Sequence, residues 1–400
     1  MYILLLIIFI FLILYLTFEF LCKSMGDCNL TLNVHEIQEK TLKTSKEAIL
    51  LNFKIPFDNT GKQQAIILDG VFRLQPEGDK YDKFDISSRL LNPEFPVYHD
   101  NYWEAFLLKP GEKLWLKGKI KVDFKDKTAL NPQDLPEVMY FDLSYKYYGR
   151  NPIKYEKKEI ILKTKEFDII SNDVNTSSQE TVIKPERKPL DESIKTIPVK
   201  THILRESDDL MEVLKKYVIP LSSPGDILAI AESVVAILQG RALYIEDIKP
   251  CYIATRINRF FQQDASLSSP YSLQMAIKEA GTIRIILAFL IGILGKLTGR
   301  KGDFYRIAGR AATTIDDPPG TMPPFDKSVV LGPKAPQKLV EEIKLKTNLD
   351  ATIVDANDLG KVDVLASTLK NNELIVRALT HNPQGNADEQ TPIVLIRQIK

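Results

Sequence analysis

The sequence predicts a multidomain chain: an N-terminal transmembrane helix, then an all-β sandwich, then an α/β (α+β) domain. Three observations carry this reading. The stretch "YILLLIIFIFLILYLTFEFLC" opens the chain with about 20 apolar residues. Residues of about 45–165 alternate apolar and polar side chains between regular turns. The remainder alternates short apolar runs with helical periods. A chain of 400 residues accommodates two domains at roughly 100–200 residues each. The expected bounds are 1–23 for the anchor, 30–165 for the sandwich, 166–195 for a linker and 196–400 for the last domain.

At 1.5 Å per residue, about 20 residues cover the roughly 30 Å hydrocarbon core. The run lacks a basic start and a small-residue cleavage site, so it reads as an uncleaved, single-pass anchor. Phe20 and Leu21 are too bulky for lipoprotein cleavage before Cys22, which reads as a plain interfacial cysteine rather than a palmitoylation site. Lys23 follows the span and no Lys or Arg precedes it. The positive-inside rule then places the C-terminal domains in the cytoplasm. The cysteines Cys22, Cys28 and Cys251 form no CxxC pair and no disulfide framework, in keeping with a reducing compartment. Lys+Arg and Asp+Glu nearly cancel, to a net charge of +1, which argues against a nucleic-acid partner.

In the second segment, "AILLNFKIPFDN" and "QAIILDGVFRLQ" are strand-length and flank the turn residues Asn59-Thr60-Gly61. "YWEAFLLKPGEKLWLKGKIKVDF" is a hairpin candidate about Pro110-Gly111, with Ile120, Val122 and Phe124 on one face of its second arm. "MYFDLSYKYYG" alternates Phe141, Leu143, Tyr145 and Tyr147 against Asp142, Ser144, Lys146 and Tyr148. These patterns point to an antiparallel sandwich of immunoglobulin-like type. His35 and His99 stand alone and read as structural or surface residues; the sandwich carries no catalytic cluster, and its partner is open. Residues 166–195 are polar, contain Pro185 and Pro189, and read as a linker.

In the last segment, "DDLMEVLKKYVI" places Leu210, Val213, Leu214 and Val218 on one helical face. "GDILAIAESVVAILQGR" starts at a Gly-Asp turn. "SPYSLQMAIKEAG" is a helix ending at Gly281, and "APQKLVEEIKLKTN" is a helix with Leu339, Ile343 and Leu345 in its apolar set. "DATIVDAND" and "TPIVLIRQI" read as buried strands. The run Ile285–Gly295 is uninterruptedly apolar, flanked by Arg284, Lys296, Arg300 and Lys301. At roughly 16 Å it is too short to span a bilayer. Two readings stay open: a buried core or dimer-interface helix, and a helix lying in the bilayer surface.

No P-loop, GxGxxG, HExxH or GxSxG is present; Gly292, Gly295, Gly299 and Gly302 have the wrong spacing. "DANDLG" begins like a calcium loop, but Leu359 and Ala366 stand where ligands are required. What remains is two acidic breaks at strand ends: Asp316 and Asp317 in "TTIDDPPGTMPP", and Asp355, Asn357 and Asp358 in "ATIVDANDLGK". They suit Mg²⁺ or Mn²⁺, which are commonly held by one or two carboxylates plus substrate phosphates. They also suit two ordinary turns. "HNPQGNADEQTP", with His381, Asn382, Asn386 and Asp388, is either a surface turn or a substrate-contacting loop.

"IPVKTHILRESDDL", "GDILAIAESVVAILQGRALYIEDIKP", "RIAGRAATTIDDPPG" and "LDATIVDANDLGK" together resemble the coenzyme F(420)-0:L-glutamate ligase family, the gamma-glutamyl ligases of deazaflavin coenzyme synthesis. The resemblance covers about residues 195–400. It implies a homodimer, formed through this domain, that activates a carboxylate as an acyl phosphate with GTP and Mg²⁺ or Mn²⁺ and forms an amide bond with glutamate. It implies metal ligation by Asp316 or Asp317 and Asp355; from their position beside Asp355, Asn357 or Asp358 is the candidate to support the metal. Gly240 and Arg241 match the family's helix-end Gly-Arg, and as a nucleotide-binding candidate Gly240 stands with Arg241, Arg306 or Arg310, the arginines expected to meet phosphates. The family's Val-Ser-Lys-Ala-Glu before Gly-Arg is Val235-Ala236-Ile237-Leu238-Gln239 here, its threonine after the second aspartate is Ala356, and its following arginine is Lys361. The lost Ser-Lys-Glu motivates an alternative: a catalytically degenerate, membrane-tethered binding or scaffold protein.

Overall fold

The structure is a computed structural model that describes residues 2–45, 48–75, 78–95, 102–124, 132–170, 193–263, 265–318, 321–357, 360–385 and 389–399. His99 and most of the expected linker lie outside the described residues. The chain divides into two compact units, Met1–Gln179 with Pro250–Pro270, and Glu180–Lys249 with Tyr271–Lys400.

The first unit opens with helix α1 (Tyr2–Ser24), long and apolar enough to cross a membrane. Among the described residues ten strands follow: β1 (Leu30–Leu32), β2 (Gln38–Thr44), β3 (Ile49–Asn59), β4 (Ala65–Leu74), β5 (Phe84–Leu91), β6 (Phe106–Leu108), β7 (Lys113–Phe124), β8 (Val138–Tyr148), β9 (Lys154–Lys163) and β10 (Asp168–Ile170). One sheet has the order β10-β2-β3-β7-β5, with β1 also on β3; the other has the order β6-β4-β8-β9. Period-2 alternation sends Leu116, Ile120 and Val122 of β7, and Met139, Phe141, Leu143 and Tyr145 of β8, into one shared core. Aromatic pairs join the layers: Phe53 meets Phe72 edge-on at 5.9 Å between centroids, and Phe57 meets Tyr145 at 5.0 Å.

The expected hairpin about Pro110-Gly111 does not form. β6 pairs with β4 in one sheet, while β7 pairs with β3 and β5 in the other. Gly111, at φ +75, donates its N–H to Asn59 O at 2.7 Å, so the turn is pinned to the end of β3 and passes the chain between layers. The buried Asn59 amide secures the same corner through Gln63 O and Leu108 O.

The second unit runs β11 (Ile194–Val199), α2 (Leu210–Val213), β12 (Ile227–Ala231), α3 (Glu232–Leu238) and β13 (Ala242–Tyr244). The chain then contributes α4 (Tyr252–Ile257) to the first unit. It continues as α5 (Pro270–Ala280), α6 (Thr282–Leu297), α7 (Asp303–Ala308), α8 (Arg310–Thr313), β14 (Ser328–Val330), α9 (Pro336–Thr347), β15 (Asp350–Ala356), β16 (Val362–Ser367), α10 (Glu373–Leu379) and β17 (Ile393–Gln398). The main sheet has the order β11-β17-β12-β15-β16, and β12 and β15 are its parallel neighbours. Leu228 and Ile230 face a core shared with α2, α3 and α9; Ile227 and Ala229 face a second core with α10. Helices therefore cover both faces of the sheet. On α9, Val340 and Ile343 are buried, but Leu345, expected in the apolar set, is 86% exposed. β13 pairs with β14 in a separate ribbon.

Residues 250–270 are fastened within the first unit by arginines. Arg150, 2% exposed, donates from Nη1 to Asn258 O (2.6 Å) and Ser268 O (2.8 Å), and from Nη2 to Phe261 O (3.0 Å). Arg259 donates to Gly26 O and to Asn151 Oδ1. Arg256 pairs with Glu19 at 2.8 Å, and Phe260 stacks on Phe18.

Candidate functional site

β12 and β15 run side by side in the same direction, with Ala231 opposite Val354. The next residue on each is an acid: Glu232, which opens α3, and Asp355, near the end of β15. The carboxyl ends of parallel strands are where open α/β sheets place ligands, because the chain turns away there and leaves side chains facing a common space. Across the β15–β16 hairpin, Asp355 stands directly opposite Asp363. Opposed like charges on one sheet face destabilise the pair. Asp316 joins this group from another direction, its N–H and C=O bonded to Val330 at the end of β14.

The charges act on one another. Burial, reinforced by Asp316, Asp355 and Asp363 and partly offset by Arg310, raises the Glu232 carboxyl to about 8. Glu232 is therefore largely protonated at neutral pH. Its Oε1 is buried and has no hydrogen-bond partner among the described residues. Solvent reaches Asp316, yet the protein crowded around it and the charge of Asp355 raise it to about 6. Asp355 is raised by burial and by Asp363, with Lys361 opposing. Arg310 also faces the group, its Nη2 3.3 and 3.4 Å from the two Asp363 oxygens.

Mutually repelling carboxylates, one with an unpartnered buried oxygen, suit a hard divalent cation. Among the described residues, no three His, Cys, Asp or Glu side chains are gathered closely enough to hold a metal ion by themselves. A cation held here would complete its shell with water and substrate phosphate oxygens, as Mg²⁺ commonly does.

The structure separates the candidate residues. Asp317 accepts a 2.5 Å hydrogen bond from Ser272 Oγ. Asn357 organises the β15–β16 turn: its Oδ1 accepts from Lys361 N, and its C=O accepts from the N–H of Gly360, at φ +77. Asp358, Asn386 and Asp388 lie outside the described residues. Gly240, at φ +67, ends α3. Arg241 does not face the acidic group: it is buried, donating from Nε to Gly332 O (2.6 Å) and pairing with Glu279 (2.7 Å). Arg306 pairs with Asp303 and also donates to Lys301 O. His381 contacts Thr196 Oγ1 at 3.3 Å. Asn382, buried at φ +47, shapes the turn to Gly385 through its C=O.

Glu232 and Asp363 were not singled out by motif. The available signal for Glu232 is an acid directly after the buried strand "ILAIA". For Asp363 it is an acid three residues after Gly360.

No curated protein matches the chain. Among solved structures, it is similar to the ApaA protein from Bordetella pertussis, at 12% identity over 34% of this chain and 94% of that one, with a TM-score of 0.20. It is also similar to the GAE domain of yeast GGA1, at 8% identity over 34% and 98% of the two chains, TM-score 0.17. A third similar structure is the GAE domain of GGA2p from Saccharomyces cerevisiae, at 12% identity over 31% and 98%, TM-score 0.17. Residues 198–356, which carry Glu232, Arg310, Asp316 and Asp355, match the F420-0:Gamma-glutamyl ligase family, and the C-terminal half thus contains a domain of that family.

Proposed function

We propose that the chain is a membrane-anchored, gamma-glutamyl-ligase-like enzyme that forms an amide bond on an acceptor carboxylate at the expense of a nucleoside triphosphate. The observation that supports this most is the convergence of Glu232, Asp316, Asp355 and Asp363 at the carboxyl ends of β12 and β15, inside or beside the family-matched stretch. In this reading Asp316 and Asp355 hold Mg²⁺ or Mn²⁺, and GTP is the co-substrate. When bound, the cation supplies positive charge to the phosphate oxygens. Arg310, exposed and 3.3 Å from Asp363, turns toward the transferred phosphoryl. Protonated Glu232 donates a hydrogen bond at the floor of the site. Arg241 holds the Gly332 and Glu279 segments in place. The domain pairs as a homodimer, α1 anchors the chain with the C-terminal domains in the cytoplasm, and the two-sheet unit is an immunoglobulin-like binding module.

A second reading, a tethered scaffold without catalysis, is favoured by two features. The buried Val234, Val235, Ala236 and Ile237 make α3 apolar. Among the described residues no three-ligand metal group is present. Calorimetry of the full chain with GTP or ATP and Mn²⁺ decides between them. The enzyme reading expects saturable heat from the wild type that disappears in Asp355→Ala; the absence of heat from both proteins rules it out.

A further inference from the structure

Between Ile285 and Gly295 α6 is apolar around its whole circumference, a pattern that ordinarily marks a buried helix. Here only one side is covered, the side of Ile285, Ala288, Phe289 and Gly295. The opposite side leaves Ile283 76%, Leu287 50%, Leu290 51%, Leu294 62% and Leu297 79% exposed, with Ile291 beside them. At about 100° per residue these six fall within an arc of roughly 120°. They form one stripe, and a stripe of this kind, unlike scattered single side chains, marks a docking surface.

The charges around the stripe identify what covers it. Between Thr282 and Gly302 the chain carries Arg284, Lys296, Arg300 and Lys301 and no acid; the next residue, Asp303, is buried and pairs with Arg306 and, at 3.5 Å, with Arg300. The bases sit at both ends of the helix. A second copy docked through this stripe would set base against base in a parallel or an antiparallel arrangement. An anionic lipid surface answers both features, with acyl chains for the stripe and phosphates for its ends. The 16 residues extend roughly 24 Å, less than the hydrocarbon core. α5 does not lengthen them into a span, because it meets α6 at a bend of 115°.

We propose that α6 lies in the headgroup–acyl boundary of an anionic bilayer, with Leu287, Leu290 and Leu294 among the acyl chains and Arg284, Arg300 and Lys301 at lipid phosphates. The inference stands apart from the ligase reading. The anchor reading enters only by keeping α6 at high local concentration near lipid.

The test uses the full chain carrying Cys251→Ser, reconstituted into phosphatidylcholine vesicles with and without phosphatidylserine. Single spin labels are placed at Leu290→Cys, at Leu12→Cys in α1, and at Lys338→Cys on the exposed side of α9. Collision with oxygen and with a water-soluble nickel chelate is then measured. The expected result is a several-fold preference for oxygen at position 290 in the anionic vesicles, resembling position 12 and unlike position 338. Equal chelate access at positions 290 and 338 in the anionic vesicles overturns the proposal. So does spin–spin broadening at position 290 that is independent of lipid composition, which identifies a second copy as the occupant. A water-exposed label at position 12 refutes the anchor separately.

Discussion

Replacing Glu232 by Gln should remove a pH dependence of stability from the second unit. The Glu232 carboxyl is raised from 4.5 to about 8 in the folded state. Between those values the folded form keeps a proton that the unfolded form has lost. Stability from this group is thus complete below pH 4.5, falls as pH rises, and levels off near pH 8. The slope is about 1.4 kcal/mol per pH unit, accumulating to roughly 3–5 kcal/mol. Gln is nearly isosteric and does not titrate. Relative to wild type, Glu232→Gln should gain roughly 3–4 kcal/mol between pH 5 and pH 8. Asp316, also raised, is present in both proteins and largely cancels. The assay is urea unfolding of the full chain in detergent micelles, followed by far-ultraviolet circular dichroism across this range. Trp103 and Trp115 both lie in the first unit, so their fluorescence transition serves as an internal reference that the substitution leaves in place. Identical pH dependence in the two proteins would refute the crowding of carboxylates around Glu232.

Three further outcomes are expected. Arg150→Met leaves the carbonyls of Asn258, Phe261 and Ser268 without their donor, at about 1–3 kcal/mol for each one left buried and unsatisfied; hydrogen exchange across 252–268 should accelerate while β15 is unchanged. Gly118→Ala places a methyl group against the Phe53 ring across the β3–β7 pair and should destabilise the first unit by about 1–3 kcal/mol in urea. Asp226 and Arg397 form a two-pronged pair at 2.7 and 2.8 Å that holds the Asp226 carboxyl below its usual value. Asp226→Ala should cost roughly 2–4 kcal/mol at pH 7, and the cost should shrink as pH falls toward 3.8 and below, where the wild-type pair is itself lost.

Local periodicity carried most of the elements. The alternation at Phe141, Leu143 and Tyr145 and the helical stripe at Val213, Leu214 and Val218 are imposed by the same burial that forms the cores. Pairing across distance was not legible. β6 and β7 look like hairpin arms because a Pro-Gly turn serves equally well to change sheets. Glu232 reads in sequence as an ordinary acid in the first turn of a helix, where the dipole favours it. Its unusual position depends on three carboxylates brought from residues 84, 123 and 131 positions away. Arg241 follows a Gly-Arg pattern, but the residues it binds, Gly332 and Glu279, are likewise distant in sequence.

The loop of chain from 250 to 270 also sets a timetable for synthesis. Arg150 emerges more than a hundred residues before Ser268, the last of its backbone acceptors. At about 5–20 residues per second the two are separated by roughly 6–24 seconds. For most of that interval, once β10 has emerged at Ile170, the described strands of the sandwich are all synthesised, while the cation destined for its interior still lacks these carbonyls. The first unit therefore closes only after the second has begun to emerge, and a chain cut at the 166–195 stretch would separate Arg150 from the carbonyls that complete its shell.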